Sequence, residues 1–167
     1  VRRGISGEEE YHIDEDSEVE VVGEADVREA VKIAPISQIV KSEGLSPSTY
    51  TVFGRVISIT GVRETRGGRM STITLADETG AIDLVLWREQ TGFVSSVELG
   101  DALLVEGAVA KAMRRGLVLQ VRQDSLIDIN PSYLPPPPSL ESLAKKPREI
   151  EPGERHVIVS GRVVDVK

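Results

Sequence analysis

The chain has 167 residues, of which 40% are hydrophobic and only 4% aromatic, and its formal net charge is −7. This composition indicates a globular protein whose core is built from aliphatic side chains. The absence of cysteine excludes disulfides and thiolate chemistry, and His12 and His156 lie too far apart in sequence to suggest a shared metal site. No apolar run is long enough to span a bilayer, so we expect no membrane segment.

The acidic charge is concentrated at the beginning of the chain. Residues 1–30 contain three arginines and eleven acidic residues, which is more negative charge than the whole chain carries. The remainder is therefore close to neutral. Local patches, rather than the total charge, decide which partners it attracts.

Five strands are predicted in the middle of the chain, with a short helical segment between the third and the fourth. This order is typical of the five-stranded OB-fold Greek-key barrel, so we assign the chain to the all-β class. Gly54 in the first strand suggests a bend or bulge. The predicted strands are 51–60, 70–76, 81–87, 102–111 and 117–130, and the helical segment is 88–98.

The second and third strands are predicted to form a hairpin with one apolar face. Aliphatic residues such as Ile73 alternate with polar ones, which is the period of a half-buried strand. Asp77–Gly80 supplies the turn, and Gly80 can adopt the positive φ that closes such a connection. The opposite face carries threonines, Asp83 and Trp87, so it is a possible platform for stacking.

The two ends of the chain repeat parts of its middle. Val159–Val166 matches Val52–Ile59 at an offset of 107 residues, and Asp16–Val21 matches Asp124–Ile129 at an offset of 108. Two offsets that agree within one residue indicate a tandem array, so we expect this chain to be a slice of a longer protein. The predicted boundaries are 1–30 for the acidic tail of a preceding OB repeat, 31–131 for a complete OB-fold domain, 132–153 for a stiff, extended Pro-rich linker, and 154–167 for the first strand of a following repeat.

A set of segments in fixed order carries a family resemblance. They are Lys32–Ile39, Gly54–Ile57, Leu75–Ile82, Trp87, Leu99–Asp101 and Val105–Ala108. Together they resemble archaeal replication protein A, a single-stranded DNA-binding protein built from tandem OB folds. The resemblance covers about residues 31–130. It implies that extended DNA crosses strands two and three, clamped by the loops that correspond here to residues 61–69 and 113–116.

The resemblance also implies a set of binding residues. Trp87 lies where the family stacks a base, and the two loops concentrate positive charge at the edges of the face. The predicted nucleic-acid-binding residues are Arg63, Arg66, Arg69, Thr72, Thr74, Trp87, Lys111, Arg114 and Arg115. Asp83 departs from the pattern because an acid on this face repels phosphate. Leu117 and Val118 stand where eukaryotic relatives often have a second stacking aromatic.

Structural alternatives exist for several of these residues. Trp87 could instead be a rim tryptophan that seals the barrel against Phe93 and Val94. Thr72 and Thr74 are typical strand residues, which is a simpler explanation than a role in contacting bases. For the arginines, a second Arg-Arg-Gly turn beside the first loop favours a phosphate clamp over a merely solvated loop.

We predict a binding module that is not an enzyme and needs neither cofactor nor metal. It holds single-stranded DNA without strong sequence preference and protects it in replication, recombination and repair, with RNA as a further possible ligand. Expected partners are neighbouring OB repeats of the same parent chain. The acidic segment 8–20 could contact replication or repair proteins, although a solubilising role is the simpler interpretation of its charge. The expected location is the cytoplasm, in association with the nucleoid.

Two other functions stay open at this point. One is an RNA-binding OB domain of the class II tRNA-synthetase anticodon-binding type, which has a similar Gly-Arg-Val strand and turn. Such a domain would be followed by a catalytic core and not by a second Gly-Arg-Val segment. The other is an OB fold used only for protein–protein assembly, with the acidic segment as the contact.

Overall fold

The structure is a computed structural model that describes residues 2–3, 9–10, 32–42, 48–114, 116–153 and 155–161. The chain divides into a unit of residues 1–30 and a unit of residues 31–167. In the first unit, strands β1 (Arg2–Arg3) and β2 (Glu9–Glu10) pair antiparallel. The predicted acidic strand at 18–22 and residues 162–167 of the predicted following repeat lie outside the described residues.

The second unit is built around a closed barrel of five strands. They pair in the order β3-β4-β5-β7-β6, and a further pairing of β3 with β6 closes the ring. β5 and β7 run parallel, whereas the other neighbours run antiparallel. This arrangement confirms the OB-fold barrel. The strands are β3 (Thr49–Thr65), β4 (Gly68–Asp77), β5 (Gly80–Trp87), β6 (Ala102–Met113) and β7 (Gly116–Gln120).

Shorter elements surround the barrel. A 3₁₀ helix joins β5 to β6, which confirms the helical segment predicted between the third and fourth strands. Among the described residues, no helix has the length and apolar character needed to cross a membrane. The shorter elements are α1 (Ile36–Lys41), the 3₁₀ helix (Arg88–Ser96), β8 (Leu126–Ile129), α2 (Leu140–Leu143), β9 (Ala144–Lys145), a 3₁₀ turn (Pro147–Glu149) and β10 (Ile158–Val159).

The barrel interior is an aliphatic core to which every barrel strand contributes. Helix α1 closes one end of it, because Ile36 and Ile39 are fully buried there. Each such side chain contributes about 1.5–3 kcal/mol when it is buried. The core therefore holds the strands firmly while their alternate residues face outward. Its fully buried strand residues include Val52, Val56, Ile73, Leu75, Leu84, Leu86, Leu103 and Leu119.

The long strand predicted at 117–130 is divided into two. β7 ends at Gln120, and β8 pairs with the first half of β6 instead of continuing the barrel strand. A local turn causes the break: the N–H of Arg122 donates to Ser125 Oγ at 2.9 Å, and Arg122 Nε pairs with Asp124 at 3.0 Å. Such side-chain bonds compete with the strand ladder, and hydrophobic alternation does not reveal them.

The basic segment predicted as a loop at 61–69 is the tip of a β-ribbon. β3 continues to Thr65 and β4 begins at Gly68, with these two residues paired and only Arg66 and Gly67 in the turn. The Thr65 hydroxyl donates to the Gly68 carbonyl at 2.7 Å and accepts from the Gly67 N–H at 3.2 Å. The arginines of this segment are therefore carried on paired strands.

Gly54 is needed for close approach and not for the predicted bend. A Cβ at this position would lie 2.7 Å from the carbonyl oxygen of Ala76 on β4. Only glycine lets the two backbones come this close. The register shifts of β3 fall on either side of Gly54: between Tyr50 and Val52 against β6, and between Val56 and Ser58 and between Thr60 and Arg63 against β4.

The turn between β4 and β5 is closed by an aspartate and not by a glycine with positive φ. Asp77 Oδ1 accepts from the N–H groups of Thr79 and Gly80 at 2.7 and 2.9 Å, and Gly80 has no positive φ. The same turn holds helix α1. Asp77 Oδ2 accepts from the Ile36 N–H at 2.9 Å, and Thr79 Oγ1 accepts from the Ser37 N–H at 3.0 Å.

The Pro-rich segment is bound to the barrel along part of its length. The guanidinium group of Arg55 donates to the carbonyl oxygens of Pro138, Gly100 and Pro137 at 2.8, 2.7 and 2.5 Å. Hydrogen bonds from a charged donor are stronger than those between neutral groups. The predicted stiff linker is thus fixed at residues 137–138 against the first barrel strand.

Candidate nucleic-acid interface

The outer face of the barrel carries the candidate side chains in three cross-strand rows. Residues paired across neighbouring strands point to the same side of the sheet, so the register defines each row. We name the rows after one member each: the Trp87 row, the Thr72 row and the Asp83 row. They consist of Arg63, Met70 and Trp87; of Thr72, Val85 and Gln120; and of Thr74, Asp83, Val118 and Lys111.

Trp87 lies at the end of β5 and is partly buried. Its ring packs on a small apolar cluster of the outer face, formed by Met70, Val85 and Val118. The tip of the ribbon approaches the ring, because a Cβ at Gly67 would lie 3.1 Å from Cζ3 and 3.5 Å from Cη2. These contacts hold the ring in a defined place while part of it stays accessible.

The rim-seal alternative for Trp87 does not describe this arrangement. Phe93 and Val94 pack against the barrel core, whereas Trp87 packs against the outer cluster. The tryptophan ring is therefore separate from the core that determines folding. Its substitution should test binding more than stability.

An open cleft of about 640 Å³ lies beside Trp87, between the ribbon tip and the β6–β7 side of the barrel. Arg88, Lys111 and Arg122 line it, together with the side chain of Gln120, while Glu89 and Asp124 are its acidic members. An aromatic wall, cations and amide groups together suit a ligand that has both flat rings and negative charge.

Three residues of the cleft were missed in the sequence. Gln120 faces outward beside Val85. Since side chains alternate along a strand, its position two residues after the outward-facing Val118 could have indicated this. Arg88 directly follows Trp87, and its φ of +51° turns the chain out of β5 into the 3₁₀ helix. Arg122 enters the cleft because the fifth strand breaks before it, and the polar run 122–125, with its turn-forming Asp124 and Ser125, could have indicated that break.

The structure separates the three arginines of the ribbon. Arg63 belongs to the Trp87 row and is exposed. Arg69 pairs with Glu64 across the ribbon and points to the opposite side, with Nε 3.9 Å from Glu64 Oε1. Arg66 lies in the two-residue turn at the tip and is also exposed. Arg63 is therefore the ribbon arginine that shares a face with Trp87.

The basic residues predicted at the β6–β7 edge of the face differ in their position relative to the cleft. Lys111 is exposed in the Asp83 row and lines the cleft. Arg114 lies exposed in the β6–β7 turn, and Arg115 lies outside the described residues. Lys111 is thus the residue of this group that the structure brings to the cleft.

Thr72 and Thr74 differ in their access to a ligand. Thr72 is partly exposed, whereas Thr74 is only 4% exposed and its hydroxyl donates to Asp83 Oδ1 at 2.7 Å. The other carboxylate oxygen of Asp83 lies 3.4 Å from Nε2 of His156. Asp83, the residue that did not fit the predicted face, is therefore in contact with a later segment of its own chain.

Comparison with known families agrees with this geometry. Residues 50–127 match a family described as an OB-fold nucleic acid binding domain, whose short name refers to the tRNA anticodon. The match runs from β3 into β8 and so includes all five barrel strands. The barrel is therefore similar, over this part of the chain, to an OB-fold nucleic-acid-binding domain.

The chain is also similar to individual proteins of known sequence or structure. The chain is 29% identical over 150 residues to replication factor A of Methanothermobacter thermautotrophicus. The alignment covers 83% of this chain and 19% of that protein. The chain is also similar to the NMR structure of a replication factor A-related protein from Methanobacterium thermoautotrophicum, with a TM-score of 0.49, 21% identity, and coverage of 60% of this chain and 93% of the other. The crystal structure of the p204 HINb domain gives a TM-score of 0.51 at 14% identity, over 75% of this chain and 59% of the other.

The OB fold predicted for the chain and its resemblance to replication factor A are thus confirmed. The chain spans 19% of the length of the curated relative that it matches.

Proposed function

We propose that this protein binds single-stranded DNA across the outer face of β4 and β5, without strong sequence preference. The observation that carries the proposal is the cleft that places the lone tryptophan of the chain beside Lys111, Arg88 and Arg122. Every base has a π-face and every linkage a phosphate, so an aromatic ring with flanking cations binds strands of any sequence.

The three rows support a role for each kind of side chain in this proposal. A base stacks on the accessible part of Trp87, and Arg63 at the other end of the same row neutralises a neighbouring phosphate. Lys111 does the same at the far wall of the cleft. Gln120 offers an amide that donates and accepts, so it accommodates different base edges without selecting one.

A single strand fits this surface better than a duplex does. Stacking on a side-chain ring requires a base whose face is free, which paired and stacked bases within a duplex do not offer. The similarity to replication factor A supports the same ligand. In the cell, the parent protein would protect single strands in replication, recombination and repair, in the cytoplasm and at the nucleoid.

A tandem arrangement belongs to the same proposal. Residues 31–131 form the complete repeat, 1–30 the end of a preceding one, 132–153 the linker and 154–167 the beginning of the next. The roles of Gly54 and Arg55 support this, because the Gly-Arg pair recurs at Gly161 and Arg162. Neighbouring repeats would add avidity, and the acidic segment would contact replication or repair proteins.

The binding experiment is a fluorescence titration with oligo(dT), a DNA duplex and tRNA. Because Trp87 is the only tryptophan, stacking on it should quench the intrinsic emission of the protein. We expect quenching and saturation with oligo(dT), and much weaker binding of the duplex. Strands that bind without any change in emission would contradict stacking on Trp87.

RNA is the second candidate ligand, because the matched family carries the tRNA anticodon in its name. Direct competition separates the two candidates. If tRNA displaces oligo(dT) at much lower concentration, the anticodon-binding type of function is favoured. If neither ligand binds at low salt, the OB fold serves protein assembly instead.

A further inference from the structure

The segment that follows the Pro-rich run returns to the outer face of the barrel. Its strands β9 and β10 pair parallel, with Ile158 opposite Ala144 and Val159 opposite Lys145. Arg155 and His156, which precede β10, line a cavity of about 320 Å³. Asp83 and Val118 of the Asp83 row line the same cavity from the barrel side. The chain therefore lies against its own candidate binding face.

Two contacts fix where this segment lies. Nε2 of His156 is 3.4 Å from Oδ2 of Asp83 on β5. The guanidinium group of Arg155 lies over the β6–β7 turn, because a Cβ at Gly116 would be 2.8 Å from Arg155 Nη1. The segment thus reaches from the third barrel strand to the turn that ends the fourth.

The segment thus lies over one part of the outer face. Asp83 and Val118 line the cavity together with Arg155 and His156. Thr74, which donates to Asp83, is only 4% exposed, and Val118 also packs in the outer cluster beside Trp87. The cleft beside Trp87 remains open at the same time. We call the open part, with Trp87 and Lys111, the open subsite, and the part around Thr74, Asp83 and Val118 the covered subsite.

The contact between His156 and Asp83, which holds the segment over the covered subsite, is weak enough to be released. The side chains of Asp83 and His156 are 26% and 30% exposed, and a solvated pair of this kind contributes little stability. His156 also has a φ of +55°, a left-handed conformation that is strained for a residue with a side chain. Release of the segment would relieve that strain.

We propose that residues 155–159 are a displaceable cover on the nucleic-acid face, held by His156 on Asp83. The inference rests on the proposed function. A short single strand binds the open subsite with the cover in place, whereas a longer strand must remove the cover to reach Thr74 and Val118. This explains why an acidic residue lies on a face that binds phosphate: Asp83 holds the cover when no long strand is bound.

The variant His156→Ala tests the cover. The substitution removes the imidazole whose Nε2 lies 3.4 Å from Asp83 Oδ2 and leaves the backbone of the segment in place. Binding is measured with oligo(dT) of about 4 and about 16 nucleotides, the range of site sizes of a single OB fold. Ser160→Ala, at the exposed position that directly follows the cover, is the matched control.

We expect His156→Ala to leave the affinity for the short strand unchanged. The long strand should bind up to about fivefold more tightly, the factor that corresponds to loss of one exposed contact. Weaker binding of the long strand would mean that the segment extends the face instead of covering it, and unchanged binding would mean that it does not compete. Either result overturns the cover, whereas failure of both lengths to bind the wild-type chain overturns the proposed function itself.

Movement of the cover can be followed directly. The chain has no cysteine, so Ser160→Cys accepts a single environment-sensitive fluorophore. Saturation with the long strand should change the emission of this label, and saturation with the short strand should not. An emission that is the same with both strands would show that the segment stays in place, and the proposal would then be wrong.

Discussion

At the residue scale, Trp87 is fixed from one side and open on the other. Its ring packs on the outer cluster, and the cleft lies beside it. We expect Trp87→Ala to weaken binding of single strands by about 1–3 kcal/mol, because one stacked base is lost. Anisotropy of a labelled oligo(dT) measures this without the tryptophan signal. Trp87→Phe keeps an aromatic face and should retain part of the affinity, and an unchanged dissociation constant for Trp87→Ala would make the ring structural.

The ribbon arginines supply a matched pair of substitutions. Arg63 shares a row with Trp87, while Arg69 points to the other side beside Glu64. Each phosphate contact to a single strand contributes about 0.7 to the slope of log affinity against log salt. Arg63→Ala should therefore lower the slope by about 0.7, and Arg69→Ala by less. Equal effects of the two substitutions, measured in titrations at several salt concentrations, would contradict the assignment of faces.

At the element scale, the turn between β4 and β5 also supports helix α1. Loss of the Asp77 carboxylate would leave the N–H groups of Ile36, Thr79 and Gly80 without their acceptor. We expect Asp77→Ala to destabilise the barrel by about 1–3 kcal/mol, seen as a lower midpoint of urea unfolding. Glu78→Ala, an exposed change in the same turn, should stay within about 0.5 kcal/mol of wild type. A similar loss in both variants would mean that the turn does not depend on the Asp77 hydrogen bonds.

Strand β3 carries two glycines with opposite surroundings. A methyl group at Gly54 would meet the backbone of Ala76 at 2.7 Å, whereas nothing lies within 4 Å of one at Gly61. Gly54→Ala should therefore cost about 1–3 kcal/mol or more, since the backbone of β4 cannot yield as a side chain would. Gly61→Ala should be near neutral. Thermal unfolding of both variants decides, and equal melting temperatures would refute the role given to Gly54.

The sequence predicted those elements whose cause is local. The alternation of apolar and polar residues around Ile73 indicates a strand with one buried face. The hairpin and the order of the barrel strands could be predicted from such alternation. The break after Gln120 was missed because it depends on hydrogen bonds of Ser125 and Asp124. Asp83 and His156 are in contact although they are far apart in sequence, and the hydrophobic periodicity of the sequence cannot predict such a contact. The candidate cleft likewise needs three elements to meet before Trp87, Lys111 and Arg122 share a wall.

At the scale of the whole molecule, the total charge and the charge of the candidate face have opposite signs. Residues 1–30 carry three arginines and eleven acidic residues, so the rest of the chain has a net charge of about +1. A negative segment on the same chain lowers the rate at which a polyanion approaches, and salt screens the effect. The acidic segment should therefore act on the association rate more than on the dissociation rate.

Removal of residues 1–30 tests this directly. The shortened chain should bind oligo(dT) with a faster association rate at low salt, and the difference should diminish as the salt approaches 1 M, where screening acts over about 3 Å. Stopped-flow mixing with a labelled strand gives the two rate constants separately. A matched control replaces the eleven acidic residues by their amides, which keeps the length but removes the charge. If the neutralised chain associates as slowly as the wild type, the effect of the segment is not electrostatic.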